Sequence, residues 1–273
     1  MKNKFLNIKG KLLSLEKPVV MGILNVTPDS FFDGGRYTDE TTVTSRIEAI
    51  ISEGGAWIDI GGYSTRPEAA DVTPDDEWRR LEPALNILLK KFPGIPVSID
   101  TFRTDIAKRA VEDYGVSMIN DISGGTIDNK MFETVAGLNV PYVLSHFRRV
   151  PIKDQRFTDE ILMYFAEKLR MFRLLGVNDV ILDPGFGFCK TIEQNYELMR
   201  NLNKFPLFFE CPLLVGVSRK SMIYSLLDCT ADECLNGTTV LHTYSLFNGA
   251  DILRVHDVKA SVEVIRLIDK LKN

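Results

Sequence analysis

Short apolar segments alternate with amphipathic stretches along almost the whole chain. The first apolar segment covers residues 19–24, and the stretch 41–53 after it has Val43, Ile47 and Ile50 at the spacing of one helix face. Further apolar segments lie at residues 57–60, 95–99, 116–119, 140–144, 180–182, 213–217 and 252–253. Such an alternation predicts buried parallel strands that are connected by helices.

The predicted helices fill the intervals between these segments. They lie at residues 41–53, from 73 onward, at 106–114, 129–137, 161–172 and 192–202, in a stretch up to 247 with a turn near 228–236, and at 258–271. No linker or charge block divides the 273 residues, so the pattern predicts a single α/β domain over residues 1–273, a (β/α)₈ TIM barrel. A doubly wound open sheet is the alternative, which the absence of GxGxxG after the first segment disfavours. The short N-terminal extension before Pro18 is expected to form a capping strand or hairpin.

A polar or charged residue follows every predicted strand. These residues are Asn25, Asp59, Asp100, Asn120, His146, Asp183, Lys220 and Arg254. A single aspartate at a strand end is more often a turn former, which is the simpler interpretation of Asp59. Eight polar strand ends in register are harder to explain by turns, because the carboxyl ends of barrel strands converge on one mouth. His242 lies within a predicted helix and is expected to serve packing or the surface.

The candidate site residues fall into two chemical groups. The cationic group is Arg66, Lys220, Arg254 and His256, which suits a phosphate or pyrophosphate. The group of acceptors and donors is Asp100, Asn120 and Asp183, which suits a heterocycle with N–H and NH₂ edges. The amide oxygen of Asn25 could bind a hard cation such as Mg²⁺, which completes its coordination with phosphate and water. The residues therefore predict one oxyanion subsite and one subsite for a polar ring.

Composition excludes several other functions. The net charge is −4 and no basic stretch is long enough for nucleic acid, so a nucleic-acid partner is not expected. No apolar run is long enough to span a membrane, and the N-terminal residues lack the apolar core of a signal peptide. The four cysteines show no CxxC spacing and are expected to be reduced thiols in the cytoplasm.

Seven motifs in chain order resemble those of the dihydropteroate synthases, the sulfonamide-targeted pterin-binding enzymes of folate biosynthesis. They are NVTPDSFFDGG, DIGGYSTRP, VSIDT, MINDISGG, ILDPGFGF, LLVGVSRKS and GADILRVHDV, and the resemblance covers about residues 18–271. It implies a (β/α)₈ barrel, a homodimer and a Mg²⁺-assisted transferase. The implied reaction joins 4-aminobenzoate to the methyl diphosphate ester of a dihydropterin, and it releases diphosphate.

The resemblance also implies a role for each matching residue. Asn25 corresponds to the magnesium-linked asparagine, and Arg254 and His256 correspond to the diphosphate anchors. The implied pterin pocket contains Asp100, Asn120, Asp183 and Lys220. Asp33 and the turn Thr65-Arg66-Pro67 belong to two loops that close over the site, and Phe188 and Ser221 lie beside the aminobenzoate. Asp33, Asp183, Lys220 and Arg254 are the implied catalytic residues.

Three positions depart from the pattern. Ser145 replaces a methionine before His146, Cys189 replaces a glycine, and Glu68 follows the STRP turn where glycine is common. A non-catalytic or divergent pterin-binding paralogue therefore remains an alternative. A methyltetrahydrofolate:corrinoid methyltransferase is another, since it shares an acidic pterin pocket, although it has no need of the SRK and RVH motifs.

Overall fold

The computed structural model describes residues 5–8, 10–27, 40–63, 72–148 and 157–272. The strands are β1 (Phe5–Ile8), β2 (Lys11–Ser14), β3 (Val19–Asn25), β4 (Trp57–Gly61), β5 (Val97–Asp100), β6 (Met118–Asp121), β7 (Tyr142–Ser145), β8 (Val180–Asp183), β9 (Leu214–Val215) and β10 (Ile252–Val255). The helices are α1 (Glu40–Ser52), α2 (Pro74–Lys91), α3 (Thr104–Tyr114), α4 (Met131–Leu138), α5 (Phe157–Leu174), α6 (Ile192–Arg200), α7 (Lys204–Phe208), α8 (Ser221–Leu227), α9 (Leu235–Phe247) and α10 (Val258–Lys272).

Eight of the strands form one parallel sheet that closes on itself. The order of neighbours is β8-β7-β6-β5-β4-β3-β10-β9. A parallel bridge between Leu182 and Leu213 joins the two outermost strands, and the Leu182 N–H donates to the Pro212 carbonyl at 2.9 Å. The predicted (β/α)₈ barrel is therefore confirmed, and its strands direct their carboxyl ends to one mouth.

The N-terminal extension caps the opposite end of the barrel. Strands β1 and β2 form an antiparallel hairpin, as the sequence predicted. Leu6 and Leu15 are each 1% exposed and pack against the apolar side chains at the base of the barrel interior. The Asn7 N–H also donates to Oδ1 of Asp179 at 3.0 Å, which attaches the hairpin to the segment before β8. Closure of the base leaves the mouth as the open end of the barrel.

Local chemistry explains where the best-defined helices begin and end. Thr73 caps α2 by accepting the Asp76 N–H, and Pro74 occupies the first turn, as the sequence predicted. Gly115 ends α3 with a φ of 63°, a conformation that favours glycine. The short helix α7 was not predicted, because Pro206 lies within it and breaks the helical pattern. Within the described residues, no helix is long and apolar enough to cross a membrane.

His242 shows how burial couples folding to pH. It lies on α9, is 1% exposed, and its Nδ1 is 3.4 Å from the Ser261 hydroxyl on α10. Burial lowers the pKa of His242 to about 4, against a weaker opposing effect of Asp257. The unfolded chain therefore binds a proton more readily than the folded chain does between about pH 6.5 and pH 4.

We expect acid to destabilise the protein through this histidine. Its stabilising contribution is complete above pH 6.5 and declines by up to about 1.4 kcal/mol per pH unit as the pH falls toward 4. Urea unfolding between pH 4 and 7.5 measures this slope. The variant His242→Gln should show a shallower slope, whatever its absolute stability. An unchanged slope would refute this role of His242.

Candidate active site

Side chains inside the barrel form two tiers. The lower tier is apolar and packs on Leu6 and Leu15; it contains Met21, Trp57, Met118, Val143, Ile181, Leu214 and Ile252. Because side chains alternate across a strand, residues two positions further along also face the interior. This upper tier contains Ile23, Asp59, Asn120, Ser145, Asp183, Gly216 and Arg254. Apart from isoleucine and glycine, the tier is polar, so the strands bring these groups together at the mouth.

Arg254 joins two carboxylates across the mouth. Its Nε donates to Oδ2 of Asp59 at 2.6 Å, and its Nη2 donates to Oδ2 of Asp100 at 2.7 Å. The Asn120 Nδ2 donates to the same oxygen of Asp59 at 2.9 Å. Asp59 is fully buried and is thus a counterion of Arg254, not the turn former of the simpler interpretation. The acidic and cationic residues interdigitate here, whereas the sequence suggested two separate groups.

Burial and charge together set the ionisation of this cluster. Burial alone would lower the pKa of Arg254, but the nearby carboxylates of Asp59 and Asp100 outweigh that effect and raise it. Burial raises the pKa of Asp100 to about 7, although the Arg254 guanidinium opposes the shift. Two buried atoms of the cluster, Oδ1 of Asp59 and Oδ1 of Asn120, have no hydrogen-bond partner among the described residues. Such atoms are acceptors for a ligand with N–H groups.

Lys220 lies beside the same cluster. Its ammonium donates to the Phe186 carbonyl and lies 4.4 Å from the centroid of the Phe188 ring. Burial lowers the pKa of Lys220 to about 8; the Asp183 carboxylate opposes this shift, and the Arg254 guanidinium adds to it. The charges of Asp183 and Arg254 therefore both reach the ammonium, which places the three groups in one electrostatic site.

Asp183 accepts hydrogen bonds from the loop after β8 and from β7. Its Oδ1 accepts the Gly185 N–H at 2.8 Å, and its Oδ2 accepts the Ser145 hydroxyl at 3.4 Å. Ser145 is one of the departures noted in the sequence, and it is fully buried. A methionine at this position could not donate to Asp183, so Ser145 adds a hydrogen bond where an apolar side chain was expected.

Lys190 was not identified from the sequence, because a lysine after a glycine-rich loop normally lies in solvent. Its ammonium donates to the carbonyls of Gly185, His146 and Phe188 at 2.7, 3.2 and 3.3 Å. Burial lowers the pKa of Lys190 to about 7. The ammonium therefore links the loops after β7 and β8, and it supports the segment that presents Phe186 and Phe188 to Lys220.

His256 is held by the segment after β9 and by α1. Its Nδ1 lies 3.2 Å from the Ser218 hydroxyl, and its backbone N–H donates to the same oxygen at 3.2 Å. The Nη2 of Arg46 donates to the His256 carbonyl at 2.7 Å. Burial lowers the pKa of His256 to about 4, with a further contribution from the charge of Arg254. The imidazole is thus neutral at physiological pH.

Two residues beside the predicted site point away from it. His146 is 3% exposed, its ring packs edge-on against Tyr164 at 5.0 Å, and its pKa is lowered to about 3 by burial. Arg219 forms a two-bond ion pair with Asp257 at 2.6 and 3.0 Å and a further pair with Asp232. The expectation that His146 faces the mouth is therefore not met, and Lys220 is the inner cation of the SRK motif.

Asn25 ends β3 at the rim of the mouth. A Cβ atom placed on Gly61 would lie 3.7 Å from Oδ1 of Asn25 and 3.4 Å from the Asp100 Cβ, so the three residues border one space. No cluster of three or more metal-ligating side chains occurs in the described part of the chain. A single amide oxygen suits Mg²⁺ that is shared with a phosphate ligand, since this ion takes few protein ligands.

The remaining predicted residues lie at the rim or outside the described residues. Phe188 is half-buried, and its ring centroid is 6.4 Å from that of Phe147. Ser221 is exposed at the first position of α8. The predicted residues that fall outside the described ranges are Asp33, Thr65, Arg66 and Pro67.

Comparison with known proteins identifies the family to which this chain belongs. Residues 21–256 match the family described as pterin binding enzyme. The chain therefore belongs to the pterin-binding enzyme family. A dihydropteroate synthase from Synechocystis is 40% identical over 266 residues, which cover 94% of this chain and 91% of that protein.

Solved structures indicate which enzymes of this family the chain resembles. The dihydropteroate synthase of Xanthomonas albilineans with 4-aminobenzoic acid has a TM-score of 0.92 and 33% identity, and the match covers 100% of this chain and 99% of the other. The enzyme of Clostridium difficile, in the presence of pteroic acid, has a TM-score of 0.87 and 35% identity over 94% and 97% of the two chains. Both matches place this chain among the dihydropteroate synthases.

Proposed function

We propose that this chain transfers a dihydropterin-methyl unit, the pterin ring together with its methylene carbon, from its diphosphate ester to the amine of 4-aminobenzoate. The C–O bond to diphosphate breaks, the amine nitrogen bonds to the methylene carbon, and one amine proton is lost. The observation that carries the proposal is the convergence of Asp183, Lys220 and Arg254 at the mouth, where a Cβ atom placed on Gly216 would lie 3.8 Å from the Arg254 Cβ and 4.0 Å from the Lys220 Nζ. The solved relatives with 4-aminobenzoic acid and with pteroic acid support the choice of substrates.

The pterin ring is assigned to the inner part of the mouth. Asp183 and Asn120 are buried, and the carbonyl oxygen of Asn120, which has no partner in the described part of the chain, can accept an N–H of the ring. The negative charge of Asp183 favours the positive charge that develops on the ring and methylene as the C–O bond breaks. Lys220 donates to an acceptor on the ring edge.

The diphosphate is assigned to Arg254 and His256. Arg254 is pre-oriented by Asp59 and Asp100, so it neutralises the leaving group with little rearrangement. Asn25 would hold Mg²⁺ together with the diphosphate oxygens. When bound, the ion supplies additional neutralisation of the diphosphate charge.

The aminobenzoate is assigned to the outer rim. The Phe188 ring can pack on the aryl group, and the exposed hydroxyl of Ser221 at the start of α8 can donate to its carboxylate. The aryl amine is already a nucleophile and needs no strong base. Asp33 and the turn Thr65-Arg66-Pro67 are proposed to orient the amine and to exclude water. These four residues lie outside the described ranges.

An assay of diphosphate release tests the proposed reaction. Purified protein is incubated with the dihydropterin methyl diphosphate, with and without 4-aminobenzoate and Mg²⁺, and dihydropteroate is measured in parallel. We expect diphosphate and dihydropteroate in equal amounts only when all three components are present. Binding of the pterin ester without turnover would instead support a non-catalytic paralogue. Methyl transfer from methyltetrahydrofolate to a corrinoid would support the methyltransferase alternative.

The pH dependence of turnover should report on Lys220. Burial lowers the pKa of this lysine to about 8, so its protonated form is lost as the pH rises through that value. We expect kcat/KM for the pterin ester to fall above about pH 8. The variant Lys220→Arg, which stays charged, should lose activity overall but should not show this alkaline decline. A decline that persists unchanged in that variant would contradict the assignment.

We also propose that the chain forms a homodimer through α8 and α9. Large apolar side chains are exposed on these adjacent helices: Leu226, Leu227, Leu235, Val240, Tyr244 and Phe247. Several exposed apolar side chains on two neighbouring helices are typical of an interface. Light scattering should show a dimer, and Val240→Glu should shift it toward the monomer. The four cysteines, all within the described ranges, form no disulfide, which supports a cytoplasmic location.

A further inference from the structure

The Ser218 hydroxyl contacts His256 twice, and these contacts determine which ring nitrogen carries the hydrogen. A hydroxyl has one hydrogen to donate and two lone pairs to accept with. The His256 backbone N–H donates to Oγ at 3.2 Å, and this uses one lone pair. Oγ is also 3.2 Å from Nδ1 of the ring. The direction of this second bond fixes the tautomer of the imidazole.

One direction of the bond between the Ser218 hydroxyl and Nδ1 gives the hydroxyl hydrogen an acceptor, and the other direction does not. Ser218 is 4% exposed, and Nδ1 is the one hydrogen-bond acceptor that its hydroxyl reaches within the described ranges. If Nδ1 carried the ring hydrogen and donated it, the hydroxyl hydrogen would be buried without an acceptor, which is unfavourable. The hydroxyl therefore donates to Nδ1, and the ring hydrogen lies on Nε2.

Nε2 is free to meet a ligand. It forms no hydrogen bond with the described part of the chain, and it is not among the buried nitrogen atoms that lack a partner. Burial, Arg254, Arg219 and Arg46 all lower the pKa of His256, to about 4, and Asp257 opposes them. The ring therefore remains neutral among three guanidinium groups, and its interaction with an anion depends on the tautomer.

We infer that Ser218 is a positioning residue that fixes the Nε2–H tautomer of His256, so that the ring donates a hydrogen bond to the diphosphate. The inference rests on the proposed function and deepens its anion subsite. In the opposite tautomer a lone pair on Nε2 would face a negatively charged oxygen, which is repulsive. Arg254 supplies charge at this subsite, whereas His256 supplies a directed donor whose orientation and hydrogen come from Ser218.

Nitrogen-15 NMR of the histidine side chains tests the tautomer without any substrate. The chain has three histidines, so the spectrum is simple, and His256→Gln assigns the relevant signals. At pH 7.5 we expect Nδ1 of His256 to be unprotonated and Nε2 to be protonated. Ser218→Ala should give a mixture of the tautomers, and Ser218→Thr, which keeps a hydroxyl, should retain the single form. A wild-type ring with its hydrogen on Nδ1, or with both nitrogens protonated, would overturn the inference.

Calorimetry with inorganic diphosphate and Mg²⁺ tests the consequence for binding. We expect Ser218→Ala to weaken the affinity about tenfold, and Ser218→Thr to restore most of it. Ser261→Ala is the matched control, because that hydroxyl contacts Nδ1 of the remote His242. If the wild-type protein does not bind diphosphate, the proposed anion subsite is wrong. If it binds and Ser218→Ala binds equally well, the role of Ser218 alone is wrong.

Discussion

Replacement of Arg254 by methionine is expected to reduce kcat/KM for the pterin ester by about 10² to 10³. The variant removes the buried cation that neutralises the leaving diphosphate, and loss of one pre-oriented donor of this kind costs about 10² to 10³ in rate. It also leaves Asp59 and Asp100 without the guanidinium that joins them at 2.6 and 2.7 Å. Steady-state kinetics with saturating 4-aminobenzoate measures the loss.

The same variant should be less stable than the wild type. Asp59 is fully buried, and removal of one member of a buried ion pair typically costs about 3 to 5 kcal/mol. Arg254→Lys keeps the charge without the two-pronged geometry, and it should fall between the wild type and Arg254→Met in both activity and urea stability. Arg79→Met removes an exposed ion pair with Asp76 and serves as the control. Activity of Arg254→Met within tenfold of the wild type would contradict the assigned anion subsite.

Replacement of Asp183 by asparagine is expected to lower kcat by about 10² to 10³. The charge that favours the cationic pterin is lost, and an amide cannot accept both the Gly185 N–H and the Ser145 hydroxyl while it also accepts from the ring. A second effect follows from electrostatics. Asp183 raises the pKa of Lys220, so its neutralisation should move the alkaline decline of kcat/KM to lower pH.

The pH profile separates this explanation from a general loss of structure. Asp179→Asn is the matched control, because Asp179 precedes the same strand and accepts the Asn7 N–H at the base of the barrel. It should leave both the rate and the profile unchanged. An Asp183→Asn variant with reduced activity but an unshifted alkaline decline would show that Asp183 does not act on Lys220.

The sequence predicted the fold and the polar mouth correctly where the regular spacing of apolar and polar side chains determines them. Apolar strands that end in Asn120 and Asp183 predict a polar mouth, because strand ends converge in a barrel whatever the details of packing. The start of α2 could also be predicted from local chemistry, because Thr73 is a favourable cap and Pro74 suits the first turn of a helix. The N-terminal extension was predicted as a capping strand or hairpin because it lacks the apolar core of a signal peptide, and it forms a hairpin.

Contacts between distant strands could not be predicted in this way. The ion pair of Arg254 with Asp59 joins residues 195 positions apart, and spacing alone does not reveal which carboxylate a barrel cation meets. The burial of Lys190 depends on three carbonyls from two loops. The role of Ser218 depends on its distance to His256. The inner position of Lys220 relative to Arg219 likewise depends on packing.

A crystal structure with a non-hydrolysable pterin methyl diphosphate and Mg²⁺ would test the central claim most directly. We predict that the ring contacts Asp183 and Asn120, that the diphosphate contacts Arg254 and His256, and that Asn25 is the residue that would hold the Mg²⁺ bound with the diphosphate. A ligand bound elsewhere on the protein, or bound in the mouth with its diphosphate away from Arg254, would contradict the account.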